Sequence, residues 1–277
     1  MTPTLAEITK ELLTSYNRLP RKKLGQHFLV DPGVLKRIIV AAELSKDDLV
    51  IEIGSGLGVV TSEAAKQANH VIAIEIDKEL LKISQEVLKS FHNISYEAGD
   101  ILKVDLGKLI LGRKYKVIGN LPYYITSPII DKLLTGKDNP TIVGKPELAV
   151  LMVQKEVAER MAAAPGSKKF GSFSIFVQYY AEVMINSFVS KSSFHPWPEV
   201  GSALVVLKPY KTPKYLPKSE KLFFKIVHAA FQQRRKQLRN SLADFKIENS
   251  PVDLSRRPES LSLEEFAALA EEIFGHK

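Results

Sequence analysis

The four residues Asn120-Leu121-Pro122-Tyr123 follow a short apolar segment at 115–119 and suit attack by an amino group on a planar ring. The Asn120 amide oxygen and a main-chain carbonyl beside Pro122 can accept hydrogen bonds from the two amine protons, which localises the nitrogen lone pair. Tyr123 can stack on the ring and hold it in line with an electrophile. The same residues also suit a strand-to-turn corner in which Asn and Pro only shape the backbone. Alone, they leave both interpretations open.

A glycine-rich turn lies earlier in the chain, where a predicted buried strand should lead into a helix. Residues 52–58 read E-I-G-S-G-L-G, which places glycines at the alternate positions Gly54, Gly56 and Gly58. The dinucleotide fingerprint needs a glycine where Val59 stands, and no Lys-Ser/Thr pair completes a phosphate-binding loop. Alternate glycines let the backbone approach a nucleoside that has no pyrophosphate. The turn therefore favours S-adenosylmethionine over NAD as the cofactor.

Two acidic residues follow the next predicted strands. Glu75 lies about 20 residues past Gly54, a position from which a carboxylate can accept hydrogen bonds from ribose hydroxyls. Asp100 follows the third strand and can accept from an adenine amino group. Either acid taken singly is more simply explained as a solvated strand end. Together with Gly54 and Asn120, however, they place candidate groups at the ends of four successive strands, which favours a shared site.

The hydrophobic pattern predicts the elements that position these groups. Short apolar strands alternate with helical stretches from residue 48 to residue 96, and further strands follow. This alternation implies an α/β fold with a mostly parallel sheet, in which ligands bind beyond the carboxyl ends of the strands. Residues 208–218 are rich in Pro and Lys and show no periodicity. We therefore expect a catalytic domain at residues 1–207 and a small all-α domain at residues 208–277.

Within the expected C-terminal domain, residues 220–242 show the spacing of one or two helices. A last helix should begin near Ser262, whose spacing to Glu265 matches a capping box.

Composition and charge narrow the function classes. The chain has 277 residues and no cysteine, which excludes disulfides, Cys-ligated zinc and thiolate catalysis. No apolar run approaches the roughly 20 residues that span a bilayer, and charged residues interrupt the N-terminal segment, so we expect a cytoplasmic protein with no segment that spans a membrane. Lys and Arg total 39 against 31 for Asp and Glu. This excess favours a polyanionic partner, with RNA, DNA and anionic membranes as candidates.

Several motifs together resemble the rRNA adenine N6-dimethyltransferase family. They include the segment Gly25-Gln26-His27-Phe28-Leu29, the glycine turn, Glu75, Gly99-Asp100 and residues 120–123, in the order seen in that family. Residues 194–200 (F-H-P-W-P-E-V) are similar to its F-x-P-x-P-x-V segment, and residues 154–158 also fit. Arg257-Pro258-Glu259 resembles the tail of the KsgA branch, which modifies small-subunit rRNA. The resemblance runs from about Lys22 to the C-terminus.

The resemblance implies a Rossmann-like S-adenosylmethionine-dependent methyltransferase fold with a mostly parallel seven-stranded sheet. The activity it implies is dimethylation of N6 of two adjacent adenosines near the 3′ end of small-subunit (16S) rRNA in a pre-ribosomal particle. The implied acceptor residues are Asn120, Leu121, Pro122 and Tyr123, with Phe194 stacking on the other face of the extruded base. The implied cofactor contacts are Gln26, His27, Leu29, Gly54, Gly56, Glu75, Ile76, Asp100, Ile101 and Asn120. No metal is implied, and we expect a monomer.

Two positions depart from the family pattern. Ser55 stands where the family commonly has proline, and Tyr124 stands where it has a smaller polar residue. The second departure should reshape the edge of the acceptor pocket.

The basic residues are expected to dock RNA, mainly through phosphates. Arg235 and Arg239 are four apart on one face of a predicted helix, which would group them with Arg234 and Lys236. Arg21, Lys22 and Lys23 form a second cluster near the active-site entrance. A solvated helix face remains the alternative for such a charge run. The alternative functions are an erythromycin-resistance-type methylase acting on 23S rRNA, and a ribosome-assembly factor that acts mainly by binding.

Overall fold

The computed structural model describes residues 3–136, 144–233, 235–245 and 247–275. The chain forms two compact units. The first comprises Met1–Ala158 and Met184–Pro209, and the second comprises Glu159–Val183 and Tyr210–Lys277. The second boundary lies close to the expected one at residue 207. The sequence analysis placed residues 159–183 in the catalytic domain, whereas in the structure they belong to the second unit.

A seven-stranded sheet forms the centre of the first unit, and a two-stranded ribbon accompanies it. The strands are β1 (Phe28–Leu29), β2 (Leu49–Ile53), β3 (His70–Glu75), β4 (Ile94–Ala98), β5 (Lys116–Asn120), β6 (Leu148–Gln154), β7 (Ala181–Val189), β8 (Phe194–His195) and β9 (Ser202–Pro209). The sheet order is β4-β3-β2-β5-β6-β9-β7. The first five strands in this order, β4, β3, β2, β5 and β6, pair in parallel with their neighbours. The next strand, β9, is antiparallel to β6. The predicted α/β fold with a mostly parallel seven-stranded sheet is confirmed.

Helices connect these strands, as parallel pairing requires. The helices associated with the first unit are α1 (Leu5–Ser15), α2 (Pro32–Ala41), α3 (Val59–Gln67), α4 (Lys78–Val87), α5 (Leu106–Ile110), α6 (Thr126–Thr135) and α7 (Lys155–Met161). All five residues of β2 are buried, which explains why that strand is an uninterrupted apolar run apart from Glu52. The parallel pairing brings the carboxyl ends of β2, β3, β4 and β5 to one edge of the sheet.

The short ribbon β1–β8 joins two distant parts of the sequence. Phe28 pairs with His195, and Leu29 pairs with Phe194. The segment that contains Gln26 and His27 therefore lies next to the segment that contains Pro196. This link was not evident from the sequence, because neither two-residue strand has a hydrophobic period.

The second unit is helical and contains α8 (Ser172–Tyr180), α9 (Glu220–Gln232), α10 (Leu238–Ser241) and α11 (Leu263–Gly275). Aromatic packing explains why residues 159–183 belong to it. Tyr179 stacks on Phe223 with ring centroids 5.1 Å apart, and Phe170 meets Phe231 edge-on at 6.3 Å. The predicted capping box of α11 is present, since the Glu265 amide donates to the Ser262 hydroxyl over 3.1 Å and the Ser262 amide donates to the Glu265 carboxylate over 2.8 Å.

The helix that was predicted to carry Arg235 and Arg239 on one face is interrupted. The helix α9 ends at Gln232, so Arg235 lies in a turn before α10. The amide of Leu238 donates to the Arg256 carbonyl over 2.9 Å, and that of Arg239 donates to the Leu254 carbonyl over 3.0 Å. These hydrogen bonds form where α9 would otherwise continue. The prediction that Arg235 and Arg239 share one helical face is therefore wrong. Within the described residues, every helix is too short or too polar to span a bilayer.

Candidate active site

A cavity of about 950 Å³, including its open mouth, lies at the carboxyl ends of β2, β3, β4 and β5. All ten positions that the sequence analysis assigned to the cofactor line it: Gln26, His27, Leu29, Gly54, Gly56, Glu75, Ile76, Asp100, Ile101 and Asn120. Of the acceptor positions, Asn120 and Pro122 also line the cavity. The end of β5 is therefore common to the two sets of residues.

The glycine turn after β2 requires its glycines. The φ angles of Gly54, Gly56 and Gly58 are +75°, +54° and +83°, in the region that favours glycine. A Cβ atom on Gly54 would lie 3.4 Å from the carbonyl oxygen of Asn120, and one on Gly58 would lie 2.5 Å from the Ser84 hydroxyl. The turn therefore packs closely on its neighbours and leaves its backbone exposed to the cavity. Such a surface fits a flat nucleoside.

Glu75 is held at the end of β3 by main-chain donors. The Gly56 amide donates to Oε2 over 2.9 Å, and the Asp77 amide donates to Oε1 over 2.9 Å. Glu75 is buried, and that burial raises the pKa of its carboxyl, whereas the two amide bonds oppose the rise. Each carboxylate oxygen retains a second lone pair, with which it can accept from a ligand hydroxyl. Asp100 is fixed in the same way, because its Oδ1 accepts from the Leu102 amide over 3.0 Å.

Asn120 is oriented by the N-terminal segment. Its Nδ2 donates to the main-chain carbonyl of His27 over 2.9 Å. This bond fixes the direction of the amide, so Oδ1 is the atom left to accept from a ligand. The side chain of Asn120 thus offers the acceptor that the sequence analysis required.

The main-chain acceptor is better assigned to Leu121 than to Pro122. The Pro122 carbonyl already accepts from the Ile125 amide over 3.2 Å and from the Thr126 hydroxyl over 3.1 Å. For the Leu121 carbonyl, the structure records no hydrogen-bond donor among the described residues. The Leu121 side chain is itself buried, so this residue can offer only its backbone.

Tyr123 is fixed by a residue that the sequence analysis missed. Its hydroxyl lies 2.7 Å from the hydroxyl of Ser202, a fully buried residue that begins β9. Its ring faces the His27 imidazole, with centroids 6.1 Å apart and planes inclined by 24°. Nδ1 of His27 lies 2.8 Å from the Pro196 carbonyl and therefore donates to it. No local signal links Tyr123 to Ser202, since 78 intervening residues separate them.

Phe194 does not occupy the predicted place beside the base. It is 1% exposed, does not line the cavity, and packs in the core with Leu29, Val34 and Met152. The register of β1 and β8 explains this, because it pairs Phe194 with the buried Leu29. Tyr124, in contrast, lines the cavity and is 59% exposed. The stacking role of Phe194 stays a prediction, and it would require this buried side chain to become accessible to the base.

The basic cluster of Arg21, Lys22 and Lys23 is partly engaged in ion pairs. The Arg21 guanidinium lies 3.3 Å from Asp77 Oδ2, and that of Arg18 lies 3.6 Å from Oδ1. Lys22 and Lys23 are exposed beside them. In the C-terminal basic cluster, Arg235, Lys236 and Arg239 are exposed, whereas Arg234 lies outside the described residues.

Glu52 is a second buried acid of the cavity wall. It is 3% exposed, and its Oε2 lies 2.5 Å from the Thr61 hydroxyl. Burial raises its pKa to about 8, and the neighbouring Glu75 carboxyl contributes to the rise. At neutral pH the protonated form of the Glu52 carboxyl is therefore favoured.

The sheet order and the site at the carboxyl ends of its strands define a Rossmann-like methyltransferase. The chain belongs to the ribosomal RNA adenine dimethylase family, whose model matches residues 17–273. It is 42% identical over 276 residues to ribosomal RNA small subunit methyltransferase A of Clostridium botulinum, covering 96% of this chain and 98% of the relative. The protein of that name from Bacillus pumilus is also 42% identical, with 95% and 94% covered.

Two solved structures resemble the fold closely. The dimethyladenosine transferase from Plasmodium falciparum has a TM-score of 0.72 at 26% identity, with 88% of this chain and 96% of that chain covered. The 23S rRNA methyltransferase ErmE has a TM-score of 0.71 at 26% identity, with 89% and 99% covered.

Replacing Ser202 by Ala should lower the rate of methyl transfer roughly tenfold, because Tyr123 loses the hydrogen bond that fixes its ring. Cofactor affinity should not change. Tyr123→Phe should have a similar effect, and the double variant should be no slower than either single variant. Ser84→Ala is the matched control, since Ser84 is buried and its hydroxyl has no hydrogen-bond partner among the described residues. Steady-state kinetics measures the rate of methyl transfer, and calorimetry measures the cofactor affinity. A wild-type rate for Ser202→Ala would refute this role.

The free energy of unfolding of the ligand-free protein should fall as the pH rises from about 5 to about 8. In this window folded Glu52 keeps a proton that the unfolded chain has released, so the folded state binds more protons. Glu52→Gln should show a shallower fall and should gain stability relative to wild type as the pH increases. Urea unfolding at a series of pH values measures this. Parallel curves for the two proteins would contradict the assignment.

Proposed function

We propose that this protein transfers methyl groups from S-adenosylmethionine to N6 of two adjacent adenosines near the 3′ end of small-subunit (16S) rRNA, within a pre-ribosomal particle. Two methyl groups go to each base. The observation that carries the proposal is the convergence of the ten cofactor positions on one cavity that ends at Asn120. The relatives named small subunit methyltransferase A, which match almost the full length of the chain, support the choice of substrate.

The residues of the cavity fit S-adenosylmethionine. The backbone of Gly54 and Gly56 allows close approach, Glu75 can accept from the ribose hydroxyls, and Asp100 can accept from the adenine amino group. Ile76 and Ile101 supply apolar surface for the adenine ring. When bound, the cofactor supplies an electrophilic methyl group on a positively charged sulfur.

The acceptor side works by positioning. Asn120 Oδ1 and the Leu121 carbonyl accept hydrogen bonds from the two N–H groups of the adenine amine, and Tyr123 stacks on the ring. These contacts localise the lone pair of N6 and direct it at the methyl group. The ammonium product is acidic enough to lose a proton to water, so no His or Lys is assigned as a general base.

The remaining properties follow from this substrate. We expect the protein to act as a monomer. Small-subunit precursors are assembled in the cytoplasm of bacteria such as those of the named relatives, and we expect the protein there. The 23S rRNA alternative rests on the similarity to ErmE at 26% identity, compared with 42% for the small-subunit relatives.

The direct test is incubation with S-adenosylmethionine labelled in the methyl group. Small ribosomal subunits that lack the modification, large subunits and free rRNA serve as separate substrates, and the labelled nucleotides are mapped. The proposal expects label at N6 of two adjacent adenosines near the 3′ end of small-subunit rRNA. Label only in 23S rRNA would favour the alternative, and binding without label would favour an assembly factor.

Replacing Asn120 by Ala should lower kcat by about 100-fold, because the amine loses an acceptor and its alignment. The dissociation constant for the cofactor should change much less, since the glycine turn, Glu75 and Asp100 remain. Rapid-quench kinetics and calorimetry separate the two effects. Asn186→Ala, on the exposed face of β7, is the control. Undiminished turnover by the Asn120 variant would rule out this account of the acceptor site.

Replacing both Lys22 and Lys23 by Ala should weaken RNA binding and reduce the slope of log affinity against log salt by about 2, roughly one for each lost phosphate contact. Cofactor affinity should be retained, because the Arg21–Asp77 pair stays in place. Lys89→Ala is the control. Lys89 is exposed just beyond the C-terminus of α4, whereas Asp77, the partner of Arg21, precedes its N-terminus. Filter binding at several salt concentrations measures the slope. An unchanged slope would exclude these lysines from docking.

A further inference from the structure

Trp197 is the sole tryptophan of the chain, and 71% of its surface is exposed. It stands between Pro196, which is half-buried, and Pro198, which is buried. A tryptophan side chain presents a large apolar surface, and such residues are enriched where proteins bind partners. Trp197 is not among the residues that line the catalytic cavity.

The backbone on both sides of Trp197 is anchored. The Pro196 carbonyl accepts from His27 Nδ1 over 2.8 Å, and the preceding strand β8 pairs with β1. On the other side, the Lys191 ammonium donates to the Glu199 carbonyl. The two prolines further restrict the chain. The indole is therefore presented from a fixed support, which lowers the entropy lost when it binds.

This support lies at the acceptor end of the site. His27 lines the cavity, faces the Tyr123 ring and holds the carbonyl of Pro196, the residue before Trp197. Phe194, the other aromatic residue of this segment, is buried in the core. Trp197 is the exposed aromatic side chain that the segment offers.

We propose that Trp197 stacks on a nucleobase of the RNA next to the adenosine that enters the pocket. This inference rests on the proposed function. When one of two adjacent adenosines is extruded, its neighbour loses a stacking partner, at a cost in free energy. An exposed indole can replace that partner, because every base has a face on which an aromatic ring stacks. We therefore expect Trp197 to contribute to RNA binding and not to cofactor binding.

The test compares wild type with Trp197→Ala, Trp197→Tyr and Phe188→Ala. Phe188 is a matched control, because it is 54% exposed but lies on β7. The dissociation constant for unmodified small subunits, in the presence of S-adenosylhomocysteine, should rise about tenfold in Trp197→Ala, or about 1.4 kcal/mol. Trp197→Tyr and Phe188→Ala should bind nearly as wild type does. All four proteins should bind S-adenosylhomocysteine equally, which shows that the fold is intact.

The experiment distinguishes a failure of the stacking role from a failure of the proposed function. Wild-type protein that methylates small subunits, with Trp197→Ala binding them within twofold of wild type, would overturn the stacking role alone. Equal weakening by Ala and Tyr would overturn it too, because an aromatic ring would then not be what matters. Wild-type protein that methylates no rRNA would defeat the proposed function, and this inference with it.

Discussion

The hydrogen bond from the Asn120 side chain to the His27 carbonyl is the contact on which the site depends. It joins the end of β5, in the centre of the sheet, to the segment before β1. That segment is paired with β8, and the His27 ring faces Tyr123 and donates to Pro196. One amide therefore connects the floor of the cofactor cavity to the acceptor side. Its remaining oxygen is directed by the same bond, so the orientation that chemistry requires is set before substrate arrives.

Two of the residues that line the cavity are buried acids. Two buried carboxyls, Glu52 and Glu75, have raised pKa values because burial disfavours their charged forms. A cation placed near them would reduce that penalty. Asp77, which adjoins Glu75, is instead paired with Arg18 and Arg21 of the N-terminal segment. The carboxyl groups of Glu52 and Glu75 thus line the cavity, whereas that of Asp77 holds the basic segment in place.

The sequence predicted which residues gather around the cavity, because the signals for them are local. The apolar run of β2, the alternate glycines and the acid after β3 each lie within one strand–turn–helix unit, and parallel pairing brings their ends together. The acceptor half depends on contacts between distant residues. The burial of Phe194 and the hydrogen bond of Ser202 both follow from pairing of β8 or β9 with strands far away in sequence. The end of α9 is similarly decided by hydrogen bonds to residues 254–256, so the helical spacing of Arg235 and Arg239 was misleading.

The central claim is that donor and acceptor meet at Asn120. The most direct measurement is a crystal structure of the protein with S-adenosylhomocysteine and an RNA oligonucleotide that contains two adjacent adenosines. The account predicts that N6 of one adenine lies within hydrogen-bond distance of Asn120 Oδ1 and the Leu121 carbonyl, with the ring stacked on Tyr123. An adenine bound elsewhere, or one whose amine faces away from Asn120, would contradict it.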